Sequence, residues 1–394
     1  MAKRLRTLLF STLYPSSTRP GHGIFVETRL RELLGTGGVE TKVIAPVPWF
    51  PFSSERFGLY GKFAATRRKE HHNGIEVFHP RYFLPPKIGM NIAPASMALG
   101  ALPTIRKLMA EGFDFDLIDA HYYYPDGAAA RIIAERLGKP FVVTARGTDL
   151  NLLPDFSYPR SQILKTAQSA VASICVSSAL ADKLSKLGGD VGKIHVFRNG
   201  VDLERFHPVD QTEARKRLAL GEGRILLSVG NLIELKGHHL AIEALATLSP
   251  NTHLIIAGTG PEQQHLQRLA SQFGVADRTI FAGQIDNREL KWWYSAADVL
   301  LLCSSREGWP NVLLEAMACG TPVLATNVGG IKEMLSQNVG MILTERSSSA
   351  LVAALNHLFL APPDRQQVRR HAELFAWDQT SQAQLQLFRQ LSHA

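Results

Sequence analysis

The chain has 394 residues, of which 45% are hydrophobic and 20% are charged, as in an ordinary globular protein. At roughly 100–200 residues per domain, this length predicts two domains. The sequence contains no run of 18 apolar residues, so we expect no transmembrane helix.

The net charge of +8 at pH 7 is unevenly distributed. Residues 1–205 contain 27 Lys and Arg against 18 Asp and Glu, a balance of +9, whereas residues 206–394 contain 16 against 17, a balance of −1. A basic first half can face an anionic membrane, a phosphorylated substrate or nucleic acid, or it can simply keep the surface soluble. No recognition-helix or base-stacking motif supports nucleic acid, and we expect no such partner.

The cysteines and the N-terminus indicate the compartment. Cys175, Cys303 and Cys319 are odd in number, far apart and outside any C-x-x-C motif, which predicts buried free thiols in a reducing environment. Basic residues at the N-terminus precede an apolar run that is too short for a secretion signal. We therefore interpret residues 7–13 as a first buried strand and expect a cytoplasmic protein.

Strand-like apolar runs then alternate with helical patterns along the whole chain, which predicts parallel sheets covered by helices on both faces. The two series predict an α/β protein with two Rossmann-like, doubly wound domains. In chain order, the further predicted strands are 39–46, 117–120, 141–144, 174–177 and 194–197, then 225–229, 253–257, 279–281, 299–303 and 323–326.

Residues 47–72 interrupt this alternation. The segment mixes aromatic residues with a basic cluster that ends in Arg67, Arg68 and Lys69. Its length favours a functional loop over a simple connection. Aromatic side chains beside cations suit a membrane interface, and a packed loop with a solvated charged end is the alternative.

The domain boundary is expected near residues 198–222, where Asn199-Gly200 and Pro208 interrupt the pattern before a fresh strand begins at Arg224 or Ile225. We place the first domain at residues 1–205 and the second at residues 206–376.

The most informative segment is 304–330. Pro310 suits the first position of a helix over residues 311–318, and Gly320 suits its end. A helix that starts at the carboxyl end of a parallel strand offers free N–H groups and a positive dipole end, so it is a natural diphosphate site. Glu307 precedes this helix and Glu315 lies inside it, where a carboxylate can accept hydrogen bonds from sugar hydroxyls.

This segment resembles the signature of the family-4 glycosyltransferases, which have the GT-B fold. The signature is E-x7-E, an EAMACG-type helix and a P-V-[VI]-A-T strand, and it is matched by Glu307, Glu315, residues 316–320 and residues 322–326. The resemblance implies a retaining, nucleotide-sugar-dependent enzyme whose two Rossmann-like domains face each other across a cleft.

The resemblance extends over nearly the whole chain. Residues 199–208 are similar to the family's N-G-V-D…F-x-P linker, and residues 229–237 to its G-R-L…K-G phosphate motif. The last helix, residues 377–394, resembles the segment that returns to the first domain. The opening residues 15–26 are most similar to the branch that builds bacterial cell-surface polysaccharides.

The resemblance assigns roles in the second domain. Glu315 matches the residue that holds the ribose, Glu307 matches the one beside the transferred sugar, and Lys236 matches the lysine on the diphosphate. One departure from the family is Asn231, which stands where many members have Arg and which carries no charge. The residues expected to bind the donor are Gly23, Asn231, Lys236, Ile285, Gly308, Trp309, Pro310, Asn311, Val312 and Glu315, those at 308–312 through the backbone.

In the first domain, the family's active-site histidine is matched by His121, which we pair with Glu307 as the catalytic residues. Gly21 and Gly23 match a glycine loop beside the diphosphate and the acceptor. Arg146 replaces the common His of a T-x-H-G-x-D motif, and Asp149 of this motif either holds the loop or meets the acceptor.

We therefore expect sugar transfer from a nucleoside-diphosphate sugar to a hydroxyl of a glycan or lipid-linked acceptor, in cell-envelope or exopolysaccharide synthesis. We expect no metal and no other cofactor, because Lys236 supplies a cation. An anionic membrane surface is a second expected partner of the basic first domain, at the inner face of the plasma membrane. The alternatives are a nucleotide-sugar epimerase of the same fold and a non-catalytic nucleotide-sugar binding protein.

Overall fold

The computed structural model describes residues 4–85 and 89–392. The chain forms two compact units. The first unit comprises the residues up to Arg198 together with those from Asp378 on, and the second unit is Asn199–Trp377.

The first unit is built on an eight-stranded sheet in which the edge strand β4 (Lys69–His72) is antiparallel to its neighbour and all other neighbours are parallel. A separate parallel pair joins β3 (Val47–Pro48) and β6 (Arg81–Tyr82). In spatial order the strands of the large sheet are β10 (Ile194–Val196), β9 (Ala172–Cys175), β8 (Phe141–Ala145), β7 (Leu117–His121), β1 (Leu5–Phe10), β2 (Val39–Ile44), β5 (Ile75–Phe78) and β4 (Lys69–His72).

Helices cover this sheet because its central strands β1, β7, β8 and β9 are largely buried. Leu385, Leu387 and Phe388 of the C-terminal helix pack into one core cluster with residues of β1, β7 and β8. The helices of this unit are α1 (Ile24–Gly35), α2 (Gly58–Ala65), α3 (Gly89–Ala110), α4 (Ala128–Leu137), α5 (Thr148–Asn151), α6 (Ser157–Ser169), α7 (Ser178–Lys186) and α16 (Trp377–Ser392), which starts at the unit boundary.

The second unit has one six-stranded sheet, and all its neighbours are parallel. In spatial order the strands are β13 (Thr279–Gly283), β12 (Thr252–Ala257), β11 (Arg224–Val229), β14 (Val299–Leu302), β15 (Val323–Thr326) and β16 (Gly340–Leu343). Its helices are α8 (Gln211–Arg217), α9 (His238–Leu245), α10 (Gln263–Gln272), α11 (Leu290–Ala296), α12 (Asn311–Ala318), α13 (Ile331–Met334), α14 (Ser348–Leu360) and α15 (Arg365–Glu373).

Both units have the doubly wound organisation expected from the sequence, so the predicted fold class is confirmed. The predicted strands are present, with ends that shift by a few residues. Residues 174–177 are an instructive case, because the strand ends at Cys175 and Ser177 instead caps α7, its Oγ accepting a hydrogen bond from Leu180 N at 3.3 Å.

The units divide after Arg198, whereas the sequence placed the division after residue 205. Residues that follow Arg198 pack with the second unit. Val201 forms a parallel bridge to Ala376, and the Asn199 carbonyl accepts a hydrogen bond from the Trp309 indole at 2.9 Å.

The prediction that residues 47–72 form one long loop was wrong. The segment contains β3, a short 3₁₀ turn, α2 and β4. Aromatic residues order it locally, since the Phe50 ring centroid lies 5.3 Å from those of Phe57 and Tyr60. Aromatic packing within a segment is invisible to periodicity, which is why the sequence suggested a loop.

The three cysteines are free and buried, as predicted. No helix in the described part of the chain combines the length and apolar character needed to cross a membrane.

Candidate functional site

In the second unit, the direction of winding reverses between the neighbouring strands β11 and β14. Ligands of doubly wound sheets bind at such a switch point, beyond the carboxyl ends of the strands. The loop after β11 contains Lys236 and the loop after β14 contains Glu307. The fold thus brings together two residues that lie 71 positions apart in sequence.

Lys236 and Glu307 form an ion pair. The Lys236 Nζ lies 2.6 Å from Glu307 Oε1, and the two side chains are only 22% and 11% exposed. Low exposure strengthens such a pair relative to a surface salt bridge. The structure therefore contains a cation at the switch point whose partner is a carboxylate.

Gly237 lets the loop after β11 pass close to the end of β14. Its φ of 70° is left-handed, and a Cβ there would overlap the carbonyl oxygen of Cys303. The Cys303 carbonyl also accepts a hydrogen bond from Arg346 Nε at 2.9 Å. The K-G pair in the sequence thus has a steric reason for its glycine.

Helix α12 spans Asn311–Ala318, as predicted, but Pro310 precedes its first helical residue. Pro310 is its N-cap and has an extended backbone, with φ of −78° and ψ of 97°. The first N–H groups of a helix have no partner within it. Since proline has no N–H, Gly308, Trp309, Asn311 and Val312 are the residues of this segment that can offer backbone donors.

The Trp309 side chain turns into the unit. It is buried, its ring centroid lies 6.0 Å from that of Phe375, and its indole N–H is the donor to Asn199 described above. Asn199 Nδ2 in turn lies 3.3 Å from Asn311 Oδ1. These contacts anchor the start of α12.

Glu315 is oriented by a tyrosine that the sequence analysis missed. The hydroxyl of Tyr294 donates to Glu315 Oε2 at 2.7 Å, and burial raises the pKa of this carboxyl. No described residue donates a hydrogen bond to the other oxygen, Oε1. Tyr294 sits on α11, where it looks like an ordinary core aromatic, so nothing in the sequence distinguished it.

The remaining predicted donor residues are less engaged. The side chain of Asn231 is exposed. The backbone carbonyl oxygen of Asn231 lies 3.2 Å from Nε2 of buried His238. His238 Nδ1 lies 2.9 Å from Ser228 Oγ, so this histidine braces the loop, and burial lowers its pKa to about 4. Ile285 is partly buried just beyond β13, two strands away from β11.

In the first unit, the winding reverses between β1 and β7, and His121 is the last residue of β7. It is only 1% exposed. Its Nε2 lies 3.3 Å from Asp119 Oδ2, and its Nδ1 contacts Arg146 Nη2. Both ring nitrogens are therefore engaged within the unit.

The glycine loop after β1 has two different glycines. Gly21 is exposed, whereas Gly23 is buried as the N-cap of α1. The φ of Gly23 is 71°, and a Cβ there would overlap the backbone of Leu13. Gly23 thus has a structural reason for being glycine, whatever ligand it meets.

Asp149 holds its loop. It is fully buried and accepts hydrogen bonds from the backbone N–H groups of Tyr123, Arg146 and Gly147 at 2.7–3.2 Å. These contacts show that Asp149 holds the loop, which is one of the two roles that the sequence left open.

Asp126 is a second buried carboxylate that the sequence analysis missed. It contacts both the backbone N–H and the hydroxyl of Thr12, the latter at 3.1 Å, and so joins the segment after β7 to the loop after β1. Burial raises its pKa to about 7. Across residues 4–85 and 89–392, no three His, Cys, Asp or Glu side chains are grouped so that they could hold a metal ion.

Comparison with known families gives two matches. The family described as "Glycosyltransferase Family 4" matches residues 21–205, and "Glycosyl transferases group 1" matches residues 210–375. The chain is 30% identical to the putative teichuronic acid biosynthesis glycosyltransferase TuaC of Bacillus subtilis, over 89% of this chain and 88% of that protein. It is 29% identical to D-inositol 3-phosphate glycosyltransferase 1 of Catenulispora acidiphila, over 90% of each chain.

Solved structures are similar over their full length. Sucrose-phosphate synthase of Thermosynechococcus elongatus has a TM-score of 0.80 at 20% identity, with 99% of both chains covered. HepE of Anabaena, in complex with UDP-glucose, has a TM-score of 0.75 at 20% identity, with both chains fully covered. These similarities show the fold, which is GT-B.

Proposed function

This chain belongs to glycosyltransferase family 4, and from that premise we propose that it is a retaining enzyme that moves a sugar from a nucleoside-diphosphate sugar to a hydroxyl of a glycan or lipid-linked acceptor. The similarity to HepE, which was solved with UDP-glucose, supports the donor class. The similarity to TuaC, named for teichuronic acid biosynthesis, supports a role in cell-envelope or exopolysaccharide synthesis in a bacterium.

The observation that supports this proposal most strongly is the Lys236–Glu307 pair at the switch point of the second unit. A cation there would neutralise the diphosphate and stabilise the charge that develops as the nucleoside diphosphate departs. The start of α12, with its backbone donors, would bind the same anion. On donor binding, Lys236 would exchange its carboxylate partner for phosphate oxygens.

The carboxylates of Glu315 and Glu307 would accept hydrogen bonds from the sugar hydroxyls of the donor. Glu315, oriented by Tyr294 at 2.7 Å, has Oε1 available to accept hydrogen bonds from the ribose. Glu307 would orient the transferred sugar once Lys236 has moved to the diphosphate. We further propose that transfer needs no metal ion, because Lys236 and the helix dipole already supply positive charge to the leaving group.

The first unit would supply His121 and the acceptor surface. It carries the whole basic excess of the chain, which suits a phosphorylated, lipid-linked acceptor. It also exposes Trp49, Phe52 and Tyr60 beside the exposed cations Arg56 and Lys62. We propose that this surface rests on an anionic membrane on the cytoplasmic side.

The donor site is tested by thermal unfolding of the purified protein with UDP, GDP, ADP and their common sugars. A nucleotide at about 100 times its dissociation constant should stabilise the protein by roughly 2.7 kcal/mol. The stabilisation should disappear in Glu315→Ala and remain in Glu213→Ala, a change of an exposed glutamate in the same unit. It should also survive EDTA.

Transfer is then measured with the nucleotide sugar that stabilises the protein most, and the anomeric configuration of the product is read by NMR. Retention in the presence of EDTA is the expected result. Stabilisation by no nucleotide, or equal stabilisation of Glu315→Ala, would refute the donor assignment. An inverted product would refute the retaining mechanism while leaving the donor site intact.

A further inference from the structure

A continuous chain of polar side chains runs through the interior of the first unit. Arg29 on α1, Gln384 on α16, and Asp119 and His121 on β7 are all no more than 2% exposed. Arg146, from the loop after β8, completes the chain. Burying this many polar groups is costly unless each has a fixed partner, so the direction of every hydrogen bond matters.

The first half of the chain has only one possible direction. Arg29 Nε donates to Gln384 Oε1 at 2.8 Å, and Arg29 Nη1 donates to the carbonyl of Phe197 at 3.0 Å. Because a guanidinium group can only donate, the amide oxygen of Gln384 must face Arg29. The amide NH₂ therefore faces Asp119, with Nε2 at 3.5 Å from Oδ2.

The second half is equally directional. Arg146 Nη2 contacts His121 Nδ1, and since Arg146 can only donate, Nδ1 must carry a lone pair. The ring proton is then on Nε2, which lies 3.3 Å from Asp119 Oδ2. His121 is thus a neutral imidazole in a single tautomer.

The electrostatics agree with a neutral ring. Burial lowers the pKa of His121 to about 4, and the charges of Arg146 and Arg29 act in the same direction. Asp119 acts in the opposite direction without overcoming burial. The tautomer is therefore set by the two groups that contact the ring nitrogens, Arg146 and Asp119.

We propose that Arg146 and Gln384 are positioning residues for sugar transfer: Arg146 keeps the proton off His121 Nδ1, and Gln384 holds the Asp119 carboxylate that accepts the hydrogen bond from Nε2–H. Through Gln384, the C-terminal helix α16 helps to position Asp119 and His121 on β7. The arginine at position 146 has a reason in this arrangement, because a histidine there could donate or accept and would leave Asp119 as the single group that favours the Nε2–H tautomer.

The importance of this arrangement for transfer rests on the proposed function, whereas the tautomer itself does not. The tautomer is read directly from ¹⁵N NMR of protein labelled in histidine, with His121 assigned by its absence in His121→Gln. We expect one signal pair for a neutral ring protonated at Nε2 between pH 5.5 and pH 8. A ring protonated at Nδ1, or at both nitrogens, would overturn the proposal.

The matched variants at position 146 are Arg146→Lys and Arg146→Gln. Lysine can only donate, as arginine does, so it should keep the tautomer, whereas glutamine can present either a donor or an acceptor and should allow a mixture. Both variants report by NMR whether or not they are active, and a backbone spectrum shows that they are folded. Identical tautomers in the lysine and glutamine variants would contradict the role given to Arg146.

Gln384→Leu tests the helix, with Gln386→Leu as its control on the exposed side of α16. In the assay above, we expect kcat to fall by roughly tenfold to a hundredfold in Gln384→Leu, the scale of loss from a displaced active-site group. The dissociation constant of the stabilising nucleoside diphosphate should not change, because the second unit binds it. Unchanged kcat in Gln384→Leu would overturn the proposal, whereas lost nucleotide binding in the wild type would refute only the proposed donor site.

Discussion

The ion pair between Lys236 and Glu307 affects how strongly a diphosphate can bind to Lys236. A carboxylate 2.6 Å from the ammonium group competes with an incoming diphosphate for the same cation and repels it. The pair is partly buried, so neither charge is well screened by water. Glu307 therefore competes with a diphosphate for the Lys236 ammonium group.

We predict that Glu307→Gln binds the nucleoside diphosphate several-fold more tightly than the wild type, on the order of 1 kcal/mol, because Lys236 loses its competing partner. The same variant should transfer sugar more slowly, since the transferred sugar loses a carboxylate. Calorimetric titration with the nucleotide lacking its sugar separates the two effects. Weaker binding by Glu307→Gln than by Glu213→Gln would show that the pair does not compete with the ligand.

The contribution of Asp126 to the stability of the folded protein depends on pH. Its pKa is raised by burial from 3.8 to about 7, so the folded state binds a proton that the unfolded state has released between these values. The wild type thus loses stability as the pH rises from about 4 to about 7. Asparagine has no proton to lose and can still accept a hydrogen bond from the Thr12 N–H.

We predict that the Tm of Asp126→Asn, relative to the wild type, rises between pH 4 and pH 7 and is constant above. Asp155→Asn, a change of an exposed carboxyl, should show no such trend. Differential scanning calorimetry across this range measures both. A constant difference for Asp126→Asn at all pH values would mean that the Asp126 carboxyl titrates normally.

At the scale of elements, the loops after β11 and β14 approach each other at the switch point. Gly237 makes this possible, because its missing side chain leaves room for the Cys303 carbonyl. A second contact between elements is the hydrogen bond by which Tyr294 on α11 orients Glu315 on α12. The geometry of the proposed donor site is thus set by contacts between elements rather than within them.

We predict that Gly237→Ala destabilises the second unit well beyond the cost of its left-handed backbone and abolishes nucleotide binding. Gly274→Ala is the matched control, since its φ of 66° is similar but nothing lies within 4 Å of its Cβ position. The control should lose about 1–2 kcal/mol, the cost of the conformation alone. Equal losses in the two variants, measured by denaturant unfolding, would remove the argument from close approach.

At the scale of the whole molecule, charge and exposed aromatic residues are concentrated in the first unit. Trp49 is 53% exposed and Phe52 is 54% exposed, and residues 1–205 have a charge balance of +9. Aromatic rings insert at the level of lipid headgroups, and basic residues add attraction to anionic lipids. The second unit, Asn199–Trp377, contains 16 Lys and Arg against 18 Asp and Glu, a balance of −2, and lacks this attraction.

We predict that the protein floats with vesicles containing phosphatidylglycerol and not with vesicles of phosphatidylcholine alone. The double variant Trp49→Ser with Phe52→Ser should float markedly less, because both inserted rings are gone. Phe273→Ser, which removes an aromatic residue 45% exposed in the second unit, should float like the wild type. Flotation that is equal for all three proteins would place the membrane contact elsewhere or exclude it.

The sequence alone determined the two doubly wound units, because buried parallel strands have short apolar runs in the sequence and helical patterns separate these runs. The structure of the segment from Glu307 to Thr326 could also be predicted from the sequence, since its helix, the glycine that ends the helix and the following strand are all local features. Gly320, with φ of 76°, ends α12 as predicted. The buried state of the three cysteines followed from their apolar neighbours.

Only the tertiary structure decided which distant residues meet. Lys236 and Glu307 are joined by strand order, Tyr294 reaches Glu315 between two helices, and Gln384 reaches Asp119 across 265 residues. Such pairs leave no mark in a single sequence, because each partner alone is an ordinary polar residue on its own element. The sequence defined which chemical groups are available, and the packing of elements defined which of them share a site and in which protonation state.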